Sequence, residues 1–215
     1  SPPIYGTVFI SVKPYNGSYI SQSQKNEIAT LLAKYNVQSI TTQFVDASYL
    51  YIKPTITVRY NPSLTSLSAG ELRSKVIDAI TTYQDDNLGT FDVGKFYYSK
   101  FVVAMDEVDS SIRGNLTTVQ MQKIFVPSLI ISSTYNISFN NILTKSTVTS
   151  TSFTYQDQTC YFDDDGNNLL RIYYLIGGVK TFIVTNAGSV DYVSGLITVK
   201  NFLPSAYNGD GIILT

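Results

Sequence analysis

The chain has 215 residues, of which 44% are hydrophobic and 14% charged, with 15 basic against 16 acidic residues, a formal charge of −1 and no histidine. Its basic residues are scattered, which argues against a phosphate-tracking surface and so against nucleic-acid binding. The lack of imidazole removes the usual general base near neutral pH, His-dependent triads and imidazole metal sites.

Residues 5–12 read as a short strand with Val8, Ile10 and Val12 on one face, ended by Pro14 and the turn pair Asn16-Gly17. A helix follows, with Ser21 as N-cap, Gln24 three residues on, and Ile28, Leu31, Leu32 and Tyr35 spaced to form one buried stripe. Two strands are expected over 37–45 and 49–60, joined as a hairpin through Asp46, Ala47 and Ser48. Pro54 cannot donate to a ladder and places the second of them at an edge or bulge. Ser68 and Glu71 form a capping box ahead of Leu72, Val76, Ala79, Ile80 and Tyr83, and a further helical stripe comprises Tyr98, Phe101, Val102, Met105 and Val108. A strand over 116–126 closes at Pro127. The order β-α-β-β-α-α-β predicts an α+β domain over 1–127, a ferredoxin-like split β-α-β arrangement with an added helix.

Past Pro127 helical periodicity stops and short alternating runs are punctuated by Ser, Thr, Asn and Gly. Strands are expected over 135–139, 147–155, 159–162, 169–175, 180–184 and 196–199. Asp165-Gly166, Gly177-Gly178 and Ser194-Gly195 supply turns that accept positive φ. A small all-β domain, a curled sheet or sandwich, is expected over 128–215.

The runs SITTQFVDASYLYIKPTITVRYNPS, SAGELRSKVIDAITTYQDDNLGTF and YYSKFVVAMDEVDSSIRGNLTTVQMQK, followed by YFDDDGNNLLRIYY and GSVDYVSGLITVKNF, resemble the baseplate wedge ring proteins of T-even-like contractile-tailed phages and their J-like relatives. The resemblance covers nearly the whole chain. It implies a structural subunit of the virion tail baseplate that is assembled in the host cytoplasm. Such a subunit connects wedges into a ring around the tail tube and relays the change that triggers sheath contraction. Its implied partners are other wedge proteins and copies of itself, with no nucleic acid, membrane or small-molecule substrate. The start on Ser1 without an initiating Met, and the end at GDGIILT, read as a C-terminal piece of a longer chain. No apolar run reaches the roughly 18 residues of a membrane span, and SPPIYGTVFI lacks a signal core.

No residue is assigned a catalytic, cofactor-binding or metal-binding role. Asp85 and Asp86 read as a solvated helix end, and Asp106, Glu107 and Asp109 as a solvated face. Cys160 has no second cysteine to pair with and no histidine to activate it, so it reads as a buried apolar residue. Gly177-Gly178 lacks the setting of a phosphate loop. The 17 tyrosines suit surfaces that an assembly covers, although strands favour tyrosine in any case. Tyr49 and Tyr51, opposite Leu50 and Ile52, are the candidate protein interface. A tail-associated carbohydrate- or receptor-binding β-rich module is the alternative these tyrosines leave open.

The acidic run Asp163, Asp164, Asp165, Gly166, Asn167 reads as a polar hairpin turn, because the twelfth position of an EF-hand loop would be Tyr174 in place of a bidentate Glu. Calcium is therefore expected to leave the melting temperature unchanged. A calcium-dependent rise that Asp165→Ala abolishes would identify the run as a metal loop.

Overall fold

The computed structural model describes residues 6–14, 19–35, 40–88 and 94–215, which fall into two compact units.

The first unit comprises Ser1–Tyr49 and Arg59–Gly114. Strand β1 (Thr7–Ile10) pairs in parallel with β2 (Thr41–Phe44), and helix α1 (Gln22–Ala33) is the crossover a parallel pair requires. Ser21 caps α1 as its sequence predicts: the hydroxyl accepts from Gln24 N, and the Gln24 side chain accepts from Ser21 N. The expected buried stripe is corrected. No α1 side chain is buried, Leu31 is 53% exposed, and Tyr35, just past the helix, is 79% exposed. Two four-residue strands offer too narrow a face to cover a three-turn helix. The Lys25–Asp46 ion pair, at 2.7 Å, ties α1 to the loop after β2.

Helices α2 (Ala69–Asn87) and α3 (Tyr98–Asp106) carry this unit's buried helical residues. Ser68 and Glu71 cap α2 reciprocally, and Leu72, Val76 and Tyr83 are buried, as are Phe101 and Met105 of α3. Tyr83 joins the two helices. Its ring meets Phe101 edge-on at 5.1 Å, and its hydroxyl accepts from Tyr97 N and donates to Tyr97 O, both at 3.1 Å. Tyr97 is the N-cap of α3 and makes no side-chain cap bond, so Tyr83 supplies the polar group that this helix end lacks.

The second unit comprises Leu50–Val58 and Asn115–Thr215. Strand β3 (Tyr51–Tyr60), β4 (Ile112–Phe125) and β12 (Ile212–Leu214) form a three-stranded sheet in the order β12-β4-β3. Pro54 therefore lies on an edge strand, one of the settings expected of a strand residue without an N–H donor. The other sheet holds β5 (Ser133–Ser138), β6 (Phe153–Tyr155), β7 (Gln158–Asp164), β8 (Leu169–Ile176), β9 (Val179–Asp191), β10 (Leu196–Phe202) and β11 (Ala206–Tyr207). Its order is β11-β6-β7-β8-β9-β10-β5 and every pairing is antiparallel. One face of this sheet and the β4–β12 pair enclose a single core. Phe153, Phe162 and Phe202 meet there at centroid distances of 4.6 to 5.1 Å, with Cys160, Leu170, Ile172, Ile197 and Leu214 around them.

Mixed α+β class is what the chain adopts, with two departures from expectation. The described strands assigned to a ferredoxin-like sheet divide between two sheets, and β2 pairs with β1 instead of forming a hairpin with β3. The boundary expected at Pro127, between domains 1–127 and 128–215, does not coincide with the division into units. Leu50–Val58 and Asn115 onward go with the all-β part, because β12 pairs with β4 and Phe125 packs in the same core as Phe162. The expected strand over 147–155 forms only from Phe153, with Thr149 and Ser150 in isolated bridges. The turn at 16–17 and part of the strand expected over 37–45 lie outside the described residues.

Two tight hairpins use positive φ at both loop positions. Gly177-Gly178 (56° and 84°) was legible, while Gln156-Asp157 (49° and 59°) adopts the same geometry without glycine. Gly188 is constrained by space, since a Cβ there would stand 1.8 Å from Thr198 O. Gly188→Ala is expected to cost about 3 kcal/mol or more. Gly177→Ala, where nothing lies within 4 Å and only the φ of 56° opposes a side chain, should cost about 1 kcal/mol. Denaturant midpoints of the two variants test the contrast.

Candidate functional site

The acidic run does not act as one turn. The pleat of β7 turns Asp163 to the outer face with Tyr161, and Asp164 inward with Cys160 and Phe162; both aspartates are buried, at 4% exposure. Only Asp165 starts the turn, its Oδ1 accepting from Asn167 N at 2.7 Å and Leu169 N at 3.0 Å. The Leu169 and Asn167 N–H groups hold its carboxyl below the usual carboxylate range.

Asp164 is satisfied by three donors: Ser146 N at 2.6 Å, Val148 N at 2.9 Å and the Tyr192 hydroxyl at 2.6 Å. Burial, then the hydrogen bond and charge of Asp164, push the Tyr192 phenol up to about 12. Asp163 takes a two-pronged contact from Arg171 (Nε at 3.1 Å, Nη2 at 3.2 Å) and a third bond from Lys180 Nζ at 2.8 Å. These cations also cover rings. Arg171 lies 4.3 Å from the Phe182 centroid and Lys180 4.3 Å from that of Tyr173, which stacks on Tyr161 at 5.6 Å. The outer face of β7–β8–β9 is thus closed by an aromatic and cationic layer over a buried carboxylate.

This arrangement holds strands in register. The carboxylate oxygens of Asp163 and Asp164 are directed at N–H, O–H and cationic donors already present, and among the described residues no three acidic or cysteine side chains group as metal ligands. Cys160 is fully buried, its thiol donates to Tyr155 O at 3.6 Å, and burial pushes its pKa up, the setting of an unreactive thiol. Asp85 and Asp86 are exposed on α2. Asp109 accepts from Ser111 N at 3.0 Å, which holds its carboxyl below the ordinary value. Tyr49 is half-buried with its ring edge-on to Tyr19 at 5.5 Å, and Tyr51 is half-buried in β3.

The partners Arg171, Lys180 and Tyr192 escaped the sequence reading. Arg171 was within reach, because antiparallel pairing through the turn at 165–168 sets Asp163 opposite it. Large exposed apolar residues cluster at the β8–β9 turn, where Leu175, Ile176 and Val179 are 49%, 57% and 68% exposed.

Residues 1–45 match the family model of baseplate structural protein gp6, C-terminal domain I, and residues 48–124 match that of gp6 C-terminal domain III. The chain belongs to the gp6 baseplate family. It is 29% identical over 150 residues to the baseplate wedge protein gp6 of Enterobacteria phage T4, an alignment covering 70% of this chain and 22% of the T4 protein. The Asp163–Tyr192 cluster lies beyond both matched ranges, so its role is read from its own geometry.

Removing the Asp164 carboxylate orphans the Tyr192 hydroxyl and the buried Val148 N–H. Asp164→Ala should cost about 3 kcal/mol, a fall of roughly 10–20 °C in the melting of this unit. Tyr192 also sets an alkaline limit. Its folded pKa lies above the unfolded value of 10.0, so its contribution is whole below pH 10 and lost as pH rises through about 12. That loss is about 2–3 kcal/mol. Denaturation midpoints at pH 9 and pH 12 should fall less for Tyr192→Phe than for the parent chain.

Proposed function

We propose that this chain is a structural subunit of a phage tail baseplate, connecting wedges into a ring around the tail tube and relaying the rearrangement that triggers sheath contraction. The tandem match to two gp6 C-terminal domains over 1–45 and 48–124 carries the reading. Its partners are other wedge proteins and further copies of the same chain, its location is the virion tail, and its assembly takes place in the host cytoplasm. It catalyses no reaction: the sequence has no histidine, and the acidic cluster is engaged in bonds that order β7, β8 and β9. Tyr49 and Tyr51 remain the proposed tyrosine contacts of the assembly. A carbohydrate platform is less suited to the aromatic layer, since Tyr173 is only 9% exposed and capped by Lys180.

Immunogold labelling of purified tails from the phage that encodes the chain tests the proposal. Label at the baseplate end is expected, and a premature stop in the gene should leave particles without assembled baseplates. Tails that lack the chain, or saturable glycan binding by the chain with no label on tails, would overturn the assembly reading.

A further inference from the structure

The β8–β9 hairpin outruns the strand beside it. β10 pairs with β9 only from Gly188 to Asp191, whereas β8 pairs with β9 from Val179 onward. Over residues 179–187 the outer edge of β9 has no partner strand among the described residues. Alternate residues of an antiparallel strand turn N–H and C=O away from the paired neighbour, so this edge presents a row of unmet backbone groups. Soluble proteins usually shield such edges with charge or proline. Here the one charged residue of the stretch, Lys180, is drawn to Asp163 at 2.8 Å, and Val179 and Phe182 stay 68% and 39% exposed.

Where β9 parts from β10, the fork opens a cavity of about 320 Å³. Ile172 and Phe202, 2% and 1% exposed, form its apolar wall, while Asn186 and Lys200 stand among its polar lining residues. Lys200 has no carboxylate partner among the described residues.

We propose that this fork is a strand-addition site. An extended segment of another baseplate polypeptide pairs with β9 along residues 179–185, seats one aromatic or branched apolar side chain in the cavity, and sets a carboxylate against Lys200. The backbone row selects an extended polypeptide, because no compact ligand meets a line of alternating donors and acceptors. The charge disfavours edge-to-edge pairing with β9 of a second copy, since residues 179–187, VKTFIVTNA, contain no acidic side chain to answer Lys200. The proposal rests on the assembly reading for the source of the strand.

The test uses the 215-residue chain and a panel of short capped peptides that alternate Thr and Val and carry a Phe and a Glu on one face. Amide hydrogen exchange over 179–186 should slow at least about tenfold with one or more peptides. Lys200→Glu should weaken that binding about tenfold, and a peptide with Lys in place of Glu should restore it. Lys53→Glu, on β3, should change nothing. The proposal is overturned if no peptide protects the edge at millimolar concentration. It is equally overturned if protection grows with chain concentration alone, which would mean a second copy, or if a neutral oligosaccharide fills the cavity while β9 still exchanges. Labelled tails with an unprotected β9 would remove strand addition and leave the assembly reading. A protected β9 in a chain missing from tails would do the reverse.

Discussion

The second unit depends on one buried carboxylate. Asp164 stands on the core side of β7, where an unpaired charge would be costly, and its three donors come from two other stretches of chain: the loop at 146–148 and the segment after β9. An apolar side chain in its place would bury as well, but it would leave the Val148 N–H and the Tyr192 hydroxyl unpaired. Asp163, one residue earlier and on the opposite face, draws β8 and β9 together through Arg171 and Lys180. Two adjacent aspartates therefore fix the same strand from both sides, and a one-residue slip of β7 would exchange their environments and break both sets of bonds.

Local signals were legible wherever the backbone itself imposes a rule. Both capping boxes, at Ser21 and Ser68, form as written, because a helix N-terminus must find acceptors for its free N–H groups whatever else surrounds it. Pro54 at a sheet edge and the Gly177-Gly178 turn follow from similar constraints. Pairing across long separations was not legible. The sequence offered no reason for β2 to choose β1 over β3, and three-residue β12 is too short to show a period. The buried stripe assigned to α1 failed because periodicity reports which face of a helix is apolar, while burial depends on what lies against that face.

The cluster at 163–192 was visible only as a run of acids. Reading it as a turn was right for Asp165 alone. The error came from treating neighbours in sequence as neighbours in environment, although in a strand successive side chains point to opposite sides. Membership of the gp6 family agrees with a structural role, and the chemistry-like residues of this cluster are bonded in ways that hold strands together.

The closing of β4 by β12 also carries a kinetic consequence. Gln122 and Thr215, whose side chains bond at 3.0 Å, are 93 positions apart in the chain, and Phe125 faces Ile212 across the ladder. Loop closure over such a span is entropically slow, and folding rates fall as contacts become less local. During synthesis, β3 and β4 must wait with an apolar face uncovered until residues 212–214 leave the ribosome. Helices α2 and α3, whose contacts are local, can already be packed by then, so the contacts of the interrupted unit become available before those of the unit that interrupts it.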